Sequence, residues 1–323
     1  MMKKSGIKRI WAVMAALLFV AIAILPALSP AASAQEEITL IISEECTGEI
    51  VHLLGLNIST HVDPKQPLQD RIDDIIAQEG GMAIAAHPMV STLVTPVLLS
   101  LHGYTGIEIY NAEVAETSRL LADATARWDA LNSSLVLGGQ ALKWGFAVDD
   151  AHQGADIGRA WIVAMASGRG RPAIMSSLSR GSFYGTTGPA IEDVEVAASG
   201  TSRKITVTLE KAGNITFRKM GGVVVKKVYS SLSAAYTVTG CEGYVRVEVS
   251  SPEGKAWTQP LRVRNARTVS NPYAAGDPWL KGSVHCHTRA SDGELEFDEV
   301  VARHIALGYD FLAITDHNVV TVP

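Results

Sequence analysis

KGSVHCHTRASDGELEFDEVVARHIALGYDFLAITDHN, residues 281 to 318, is the segment from which the rest of the chain can be interpreted. Side chains of an extended chain alternate between faces, so His285 and His287 share one face and Cys286 takes the other. An acidic, helix-patterned segment follows, and the apolar run Phe311 to Ile314 then stops at Thr315, Asp316, His317 and Asn318. A buried strand that ends in chemistry-bearing residues is how a parallel barrel builds a site, scaffold first and functional groups at the C-terminal end.

The same construction recurs upstream. Met82 to Ala86 is a short apolar strand topped by His87, and Pro88 prevents its continuation. Gly106 to Tyr110 ends in Asn111. Trp144 to Val148 ends in Asp149, Asp150, Ala151 and His152, with Asp150 and His152 again two apart. Between these strands, Pro67 to Gln78 places Leu68, Ile72, Ile75 and Ile76 on one helix face, and Ala112 to Leu131 reads as one long helix. Asp156 to Ala164 is expected to hold a further strand and Arg171 to Arg180 a helix. Strands alternating with helices predict parallel crossover units. Residues 35 to 58 read as two strands around a Ser-Glu-Glu-Cys-Thr-Gly turn, with Glu37 and His52 as candidates for function.

From Gly181 the hydrophobic period changes to two. Ile205, Val207 and Leu209 alternate with Thr206 and Thr208, and Val245, Val247 and Val249 alternate with Arg246 and Glu248. Residues 186 to 266 therefore form a small antiparallel, sandwich-like β domain, and 267 to 279 a linker. This domain has no histidine and is assigned no chemistry; packing or spacing is its plainer role, and binding a glycan or partner the other.

With 323 residues, 47% of them hydrophobic, the chain can hold one large domain and a small one. A net charge of -5 and sparse aromatic residues argue against a nucleic-acid partner. Residues 1 to 34 read as an export signal. Lys3, Lys4, Lys8 and Arg9 precede the apolar run Ile10 to Leu25, and Ala32-Ser33-Ala34 supplies a cleavage site, so a periplasmic or secreted chain is expected. The rival reading is an uncleaved anchor, in which case the membrane is met only through this leader. Three cysteines, Cys46, Cys241 and Cys286, are too few for a disulfide framework.

The motifs HCHT, SDG and ITDHN, in this order and spacing, resemble the opening motifs of the polymerase and histidinol phosphatase (PHP) family of metal-dependent phosphoesterases. EEIT followed by VHLLGL is similar to its third motif, and the His87-Pro88 and Asp150-Ala151-His152 segments to later ones. In that family the HxH strand comes first; here it follows the rest, so the chain resembles a circularly permuted member. The resemblance implies a distorted (β/α)7-type barrel assembled from both chain ends, residues 35 to 185 and 280 to 323, with the β domain inserted between. The crossover leading into Glu37 is missing.

It also implies two to three divalent metal ions, zinc, manganese or iron. His285, His287, Glu37 and Asp150 would surround one, Asp292, His317 and His152 a second, and Glu37, His52 and His87 a third. Asp292 and Asp316 are the implied catalytic carboxylates. Arg289, or Arg159, is a candidate clamp for phosphate, and Asp149 and Asn111 are candidates to orient ligands. Clustered ions of this kind support hydrolysis of a small-molecule phosphate ester. The TTGP junction and β domain resemble an exported branch that includes carbamate-ester hydrolases, so a carbamate or other ester is the alternative substrate. A non-catalytic metal-binding chain is the alternative that the missing crossover raises. His61, His102 and His304 lie outside the motifs and are expected at the surface.

Overall fold

The computed structural model describes residues 37 to 322, so the expected leader lies outside the described residues. No helix among the described residues is long and apolar enough to cross a membrane. The chain begins with β1 (Thr39–Ile41), β2 (Ser43–Thr47) and β3 (His52–Leu56), then α1 (Leu68–Ala77), β4 (Met82–Ala85), α2 (Thr95–Ser100) and β5 (Gly106–Asn111). Three helices follow, α3 (Ala112–Thr117), α4 (Arg119–Ala122) and α5 (Thr125–Leu137), before β6 (Trp144–Val148), β7 (Trp161–Met165), α6 (Arg171–Arg180) and β8 (Phe183–Thr186). Next come β9 (Ile191–Ser199), β10 (Ser202–Lys219), β11 (Val223–Thr237), β12 (Tyr244–Ser251), β13 (Gly254–Thr258), β14 (Leu261–Asn265) and β15 (Thr268–Val269). The chain closes with β16 (Trp279–Ser283), α7 (Phe297–Ala306) and β17 (Phe311–Ala313).

These strands do not form the expected (β/α)7 barrel. They make a 12-stranded sheet, ordered β1-β17-β16-β7-β8-β13-β12-β10-β11 with β9, β14 and β15 at its margins, and a 5-stranded sheet ordered β2-β3-β4-β5-β6. Parallel pairing is confined to β1-β17-β16 and to β4-β5-β6; every other pair of strands is antiparallel. The reason is local. A TIM-like barrel needs a helical crossover after each strand, whereas β2 and β3 are joined by a tight turn, and β7 and β8 run antiparallel despite the helix between them. The antiparallel strands of 186 to 266 are not set apart either, because β8 pairs with β13 and carries the first sheet into them.

Between the sheets lies an apolar layer in which Leu54, Ile84, Phe146 and Val148 of the smaller sheet meet Ile162, Ala164, Phe183, Phe311 and Ala313 of the larger. Phe146 and Phe183 pack with ring centroids 4.6 Å apart and planes tilted by 32°. Gly282 lies under the Phe311 ring, which a Cβ would meet at 2.0 Å, so only glycine lets β16 and β17 lie this close. The expected helix over 112 to 131 is broken into three. Ser118 is extended (φ -156°, ψ 111°), and Asp123 leaves the helix to bridge Tyr110 before its carboxylate accepts from the Thr125 N–H at 3.0 Å.

The edge strands of the smaller sheet, β2 and β6, and the residues just after them meet the segments that follow β17 and β16 at isolated bridges, Glu45 with His317 and Ala151 with Cys286, both parallel, and Ser43 with Thr321, antiparallel. At the first, the Glu45 N–H donates to Asp316 O (3.1 Å) and the Asn318 N–H to Glu45 O (2.9 Å). At the second, the Asp150 N–H donates to His285 O (3.2 Å) and the His287 N–H to Ala151 O (2.8 Å). The candidate ligands converge at these junctions.

His304, expected at the surface, is instead fully buried in α7. Its Nδ1–H donates to Val300 O at 2.8 Å, while Nε2 has no partner. Protonation would put a charge on that unpartnered nitrogen, and burial lowers its pKa from 6.5 to about 4. Between those two values the unfolded chain binds a proton that the folded chain refuses, so stability falls as the pH drops through this window. His304→Leu should flatten the loss by about 3 kcal/mol between pH 7 and pH 4. Urea melts of both proteins across that range provide the measurement.

Candidate metal centre

The residue at the middle of the cluster is Glu45, which the sequence reading placed in a turn. Ser43–Thr47 is a strand, and Glu44 and Glu45 are both fully buried on its opposite faces. Glu44 accepts from His61 Nδ1 (2.7 Å) and the Val62 N–H (2.8 Å). Glu45 points into the junction, where five imidazoles reach it: His52 Nδ1 at 2.8 Å, His87 Nε2 at 3.1 Å, His285 Nε2 and His317 Nδ1 at 3.2 Å, and His287 Nε2 at 3.4 Å. Glu37, the expected bridging carboxylate, is exposed and precedes β1. The correction is one of register, since the acid that faces the histidines is eight positions further on.

All the other expected ligands come together. His285 Nε2 and His287 Nε2 both lie 3.1 Å from Asp150 Oδ1. Asp292, at the open side, lies 3.4 Å from His317 Nε2, 3.5 Å from His152 Nε2 and 3.6 Å from His287 Nδ1. Three overlapping groups bring ligand atoms within 4.8 Å of one another: His152, His287, Asp292 and His317; Glu45, His285 and His287; Glu45, His52 and His87. These nitrogen and oxygen donors, all buried or partly buried except the exposed Asp292, are close enough to hold a metal ion.

A second carboxylate was missed. Glu108, buried in the middle of β5, takes His285 Nδ1 at 2.6 Å and the His87 N–H at 2.7 Å. A carboxylate only accepts, so His285 Nδ1 carries a proton toward Glu108; Nε2 would present a lone pair only with a cation between it and the Glu45 and Asp150 oxygens, and donates to them otherwise. Asn111 Nδ2 donates to both Glu108 (3.1 Å) and Asp150 (2.9 Å), tying the two acids together, and its Oδ1 caps α3. The acid in the apolar run GIEIYN was the available signal, because a buried strand carboxylate requires a partner.

Asp316 accepts from the Thr288 N–H, Thr288 Oγ1, Ser291 Oγ and Thr321 Oγ1 at 2.7 to 2.8 Å, which engages its whole carboxylate in holding the HCHT loop. Asp149 accepts from the Gly158, Arg159 and Ala160 N–H groups and secures the following loop; burial raises its pKa to about 6. Arg289 donates to Glu294 O (2.8 Å) and pairs with Glu296, and Arg159 pairs with Glu116 (2.7 Å) and Asp156 (3.1 Å).

Electrostatics favour positive charge at this place. Burial alone would lower the pKa of His285, but Asp150, Glu108 and Glu45 outweigh it and hold the group well above its ordinary value. Burial would likewise raise Glu45, yet His285 and the hydrogen bonds from His285, His52 and His87 hold it well below the usual carboxylate range. The donor set passes a second test. His287 Nδ1 is buried without a hydrogen-bond partner, and its 3.6 Å to Asp292 is too long for one, as suits a lone pair directed at a cation. Strain is also concentrated here: His87 (φ 25°), Asp150 (φ 54°) and Asn318 (φ 53°) have left-handed backbones.

No protein-family model matches the chain, and no curated protein matches it.

Proposed function

We infer that the chain is a metal-dependent hydrolase of ester bonds, a permuted relative of the PHP phosphoesterases that is exported from the cell. The observation that carries this reading is the Glu45 carboxylate, shared by five imidazole nitrogens within 3.4 Å. Such a shared carboxylate suits two to three divalent ions, and all-nitrogen-and-oxygen donors suit zinc, manganese or iron. Glu45, His52 and His87 would hold one, Glu45, His285, His287 and Asp150 another, and Asp292, His152 and His317 a third. Ions held there supply Lewis acidity toward an ester oxygen and acidify water.

The protein's own groups divide the remaining work. Asp292, with its side chain 54% exposed, is the carboxylate at the open side, where it can take a proton from attacking water and return it to the leaving oxygen. Glu108 keeps the proton of His285 on Nδ1, and Asp316 holds the loop from which Thr288 and Ser291 hang. A phosphate ester is the first substrate class. An uncharged ester such as a carbamate is the second, and it is supported by Arg159, whose guanidinium is committed to Glu116, Asp156 and Ala112 O rather than to the cluster.

Elemental analysis of the purified chain should find two to three equivalents of transition metal. A panel of phosphodiesters, phosphomonoesters and carbamates should show hydrolysis that a chelator abolishes and added metal restores. A chain that retains no transition metal sinks the proposal.

A further inference from the structure

β14 carries arginines at alternate positions. Arg262 and Arg264 fall on one face, while Val263 between them is buried against the apolar residues of the antiparallel strands. Both arginines border a cavity of about 510 Å³, which Leu142, Trp144 and Ser270 also line. A second cavity, of about 360 Å³, shares Leu142, Trp144, Arg262 and Ser270 with the first and adds Arg180, from the end of α6. Four shared lining residues make the two cavities neighbours.

Positive charge is not offset there. No aspartate or glutamate lines either cavity among the described residues. Arg262 engages two of its donors at the end of α5, Nη1 with Gln140 O (3.0 Å) and Nη2 with Val136 O (3.3 Å), and Arg180 Nη1 donates to Ser176 Oγ (2.7 Å). None of the three arginines has a carboxylate partner among the described residues, whereas Arg159, Arg218, Arg246 and Arg289 each have one. Burial and the nearby charge of Arg264 both lower the pKa of Arg262, the direction that accumulated positive charge imposes. Holding the end of α5 accounts for Arg262 alone and leaves Arg180 and Arg264 without a task.

The rest of the lining is largely apolar. Leu142 and Trp144 border both cavities, and Pro260, Pro272 and Ala275 border the second. Trp144 is fixed in place: its Nε1–H donates to Ser179 O at 3.0 Å, and Gly181 lies against the ring, which a Cβ there would meet at 2.7 Å. A cavity of a few hundred Å³ with an apolar lining and a few charged groups is the usual form of a small-molecule site.

We propose that these adjoining cavities bind a small organic anion with a flat apolar body, its carboxylate, sulfonate or phosphate group set against Arg180, Arg262 and Arg264 and its ring beside Trp144. Charge-assisted hydrogen bonds from guanidinium groups supply the specificity for an anion. The site is separate from the candidate metal centre, because Trp144 begins β6 whereas Asp150 and His152 follow its end. It stands independently of the hydrolase reading.

Titration calorimetry of the full chain with naphthalene-2-sulfonate tests it. Two further probes separate the parts of the ligand: methyl 2-naphthyl sulfone keeps the ring without the charge, and methanesulfonate keeps the charge without the ring. The wild-type chain should bind naphthalene-2-sulfonate about tenfold more tightly than either. Arg180→Gln/Arg264→Gln should weaken that binding about tenfold, and both residues are exposed, so little packing is removed. Ser270→Asp places a carboxylate at a position that lines both cavities and should weaken it to a similar extent with every arginine kept. This second variant, with far-UV circular dichroism of both, guards against misfolding of the first. Absence of binding by the wild type, a sulfonate bound no better than either probe, or wild-type affinity in either variant overturns the proposal.

Discussion

Glu45→Gln should strip the chain of most of its affinity for divalent ions. The change keeps the size of the side chain and removes one negative charge from the point where five imidazoles meet. Loss of a group that merely supports a ligand costs 10- to 100-fold in metal affinity, so loss of a carboxylate shared between donor groups should cost about 100-fold or more. Competition against a chromogenic chelator measures this, with elemental analysis of the purified variant beside it. Glu37→Gln is the contrast: an exposed residue ahead of β1 should leave affinity at the wild-type value. If the two variants behave alike, Glu45 is not the shared ligand.

Asp129→Ala should produce the largest loss of stability. Asp129, on α5, takes Arg246 Nε at 2.8 Å and Nη2 at 2.6 Å, and Tyr244 Oη donates to it at 2.7 Å. Arg246 and Tyr244 both belong to β12, so this pair fastens the helix behind the smaller sheet to the larger one. Removing the acid leaves a buried guanidinium whose Nη1 already lacks a hydrogen bond, at a cost of about 3 to 5 kcal/mol. Replacing both residues, Asp129→Ala with Arg246→Met, should recover part of the loss, because no charge is then stranded. Urea denaturation of the single and double variants decides it; a single variant within 1 kcal/mol of wild type would show the pair to be dispensable.

Much of the centre was legible because its residues sit where strands stop. His87 after Ala85, His317 after Ala313 and the alternation of His285 and His287 all follow from patterns that burial imposes. What failed was the reading of acids. Ser-Glu-Glu-Cys-Thr-Gly has the composition of a turn, and only the hydrogen bonds of Glu44 to His61 and Val62, with the imidazoles around Glu45, make it tolerable as a buried strand. Glu108 was passed over for the same reason, an acid among apolar neighbours whose partner lies 177 residues away. The barrel failed because periodicity reports the kind of each element but not its direction. Nothing in Trp161–Met165 or Phe183–Thr186 says that the second returns antiparallel to the first.

The isolated bridges that join the edges of the smaller sheet to the segments after β16 and β17 bear on how the chain reaches this state. His285 meets Glu45 across 240 residues of sequence, and Thr47 meets Asn318 across 271. Contacts this remote are made only after the ordering entropy of the intervening chain has been overcome, which places them late in assembly and makes their formation slow. The smaller sheet, whose strands lie within residues 43 to 148, can form beforehand, whereas the larger one also waits for β1 to meet β17. Gathering of the candidate ligands therefore waits on the same kind of remote contact that brings β1 to β17.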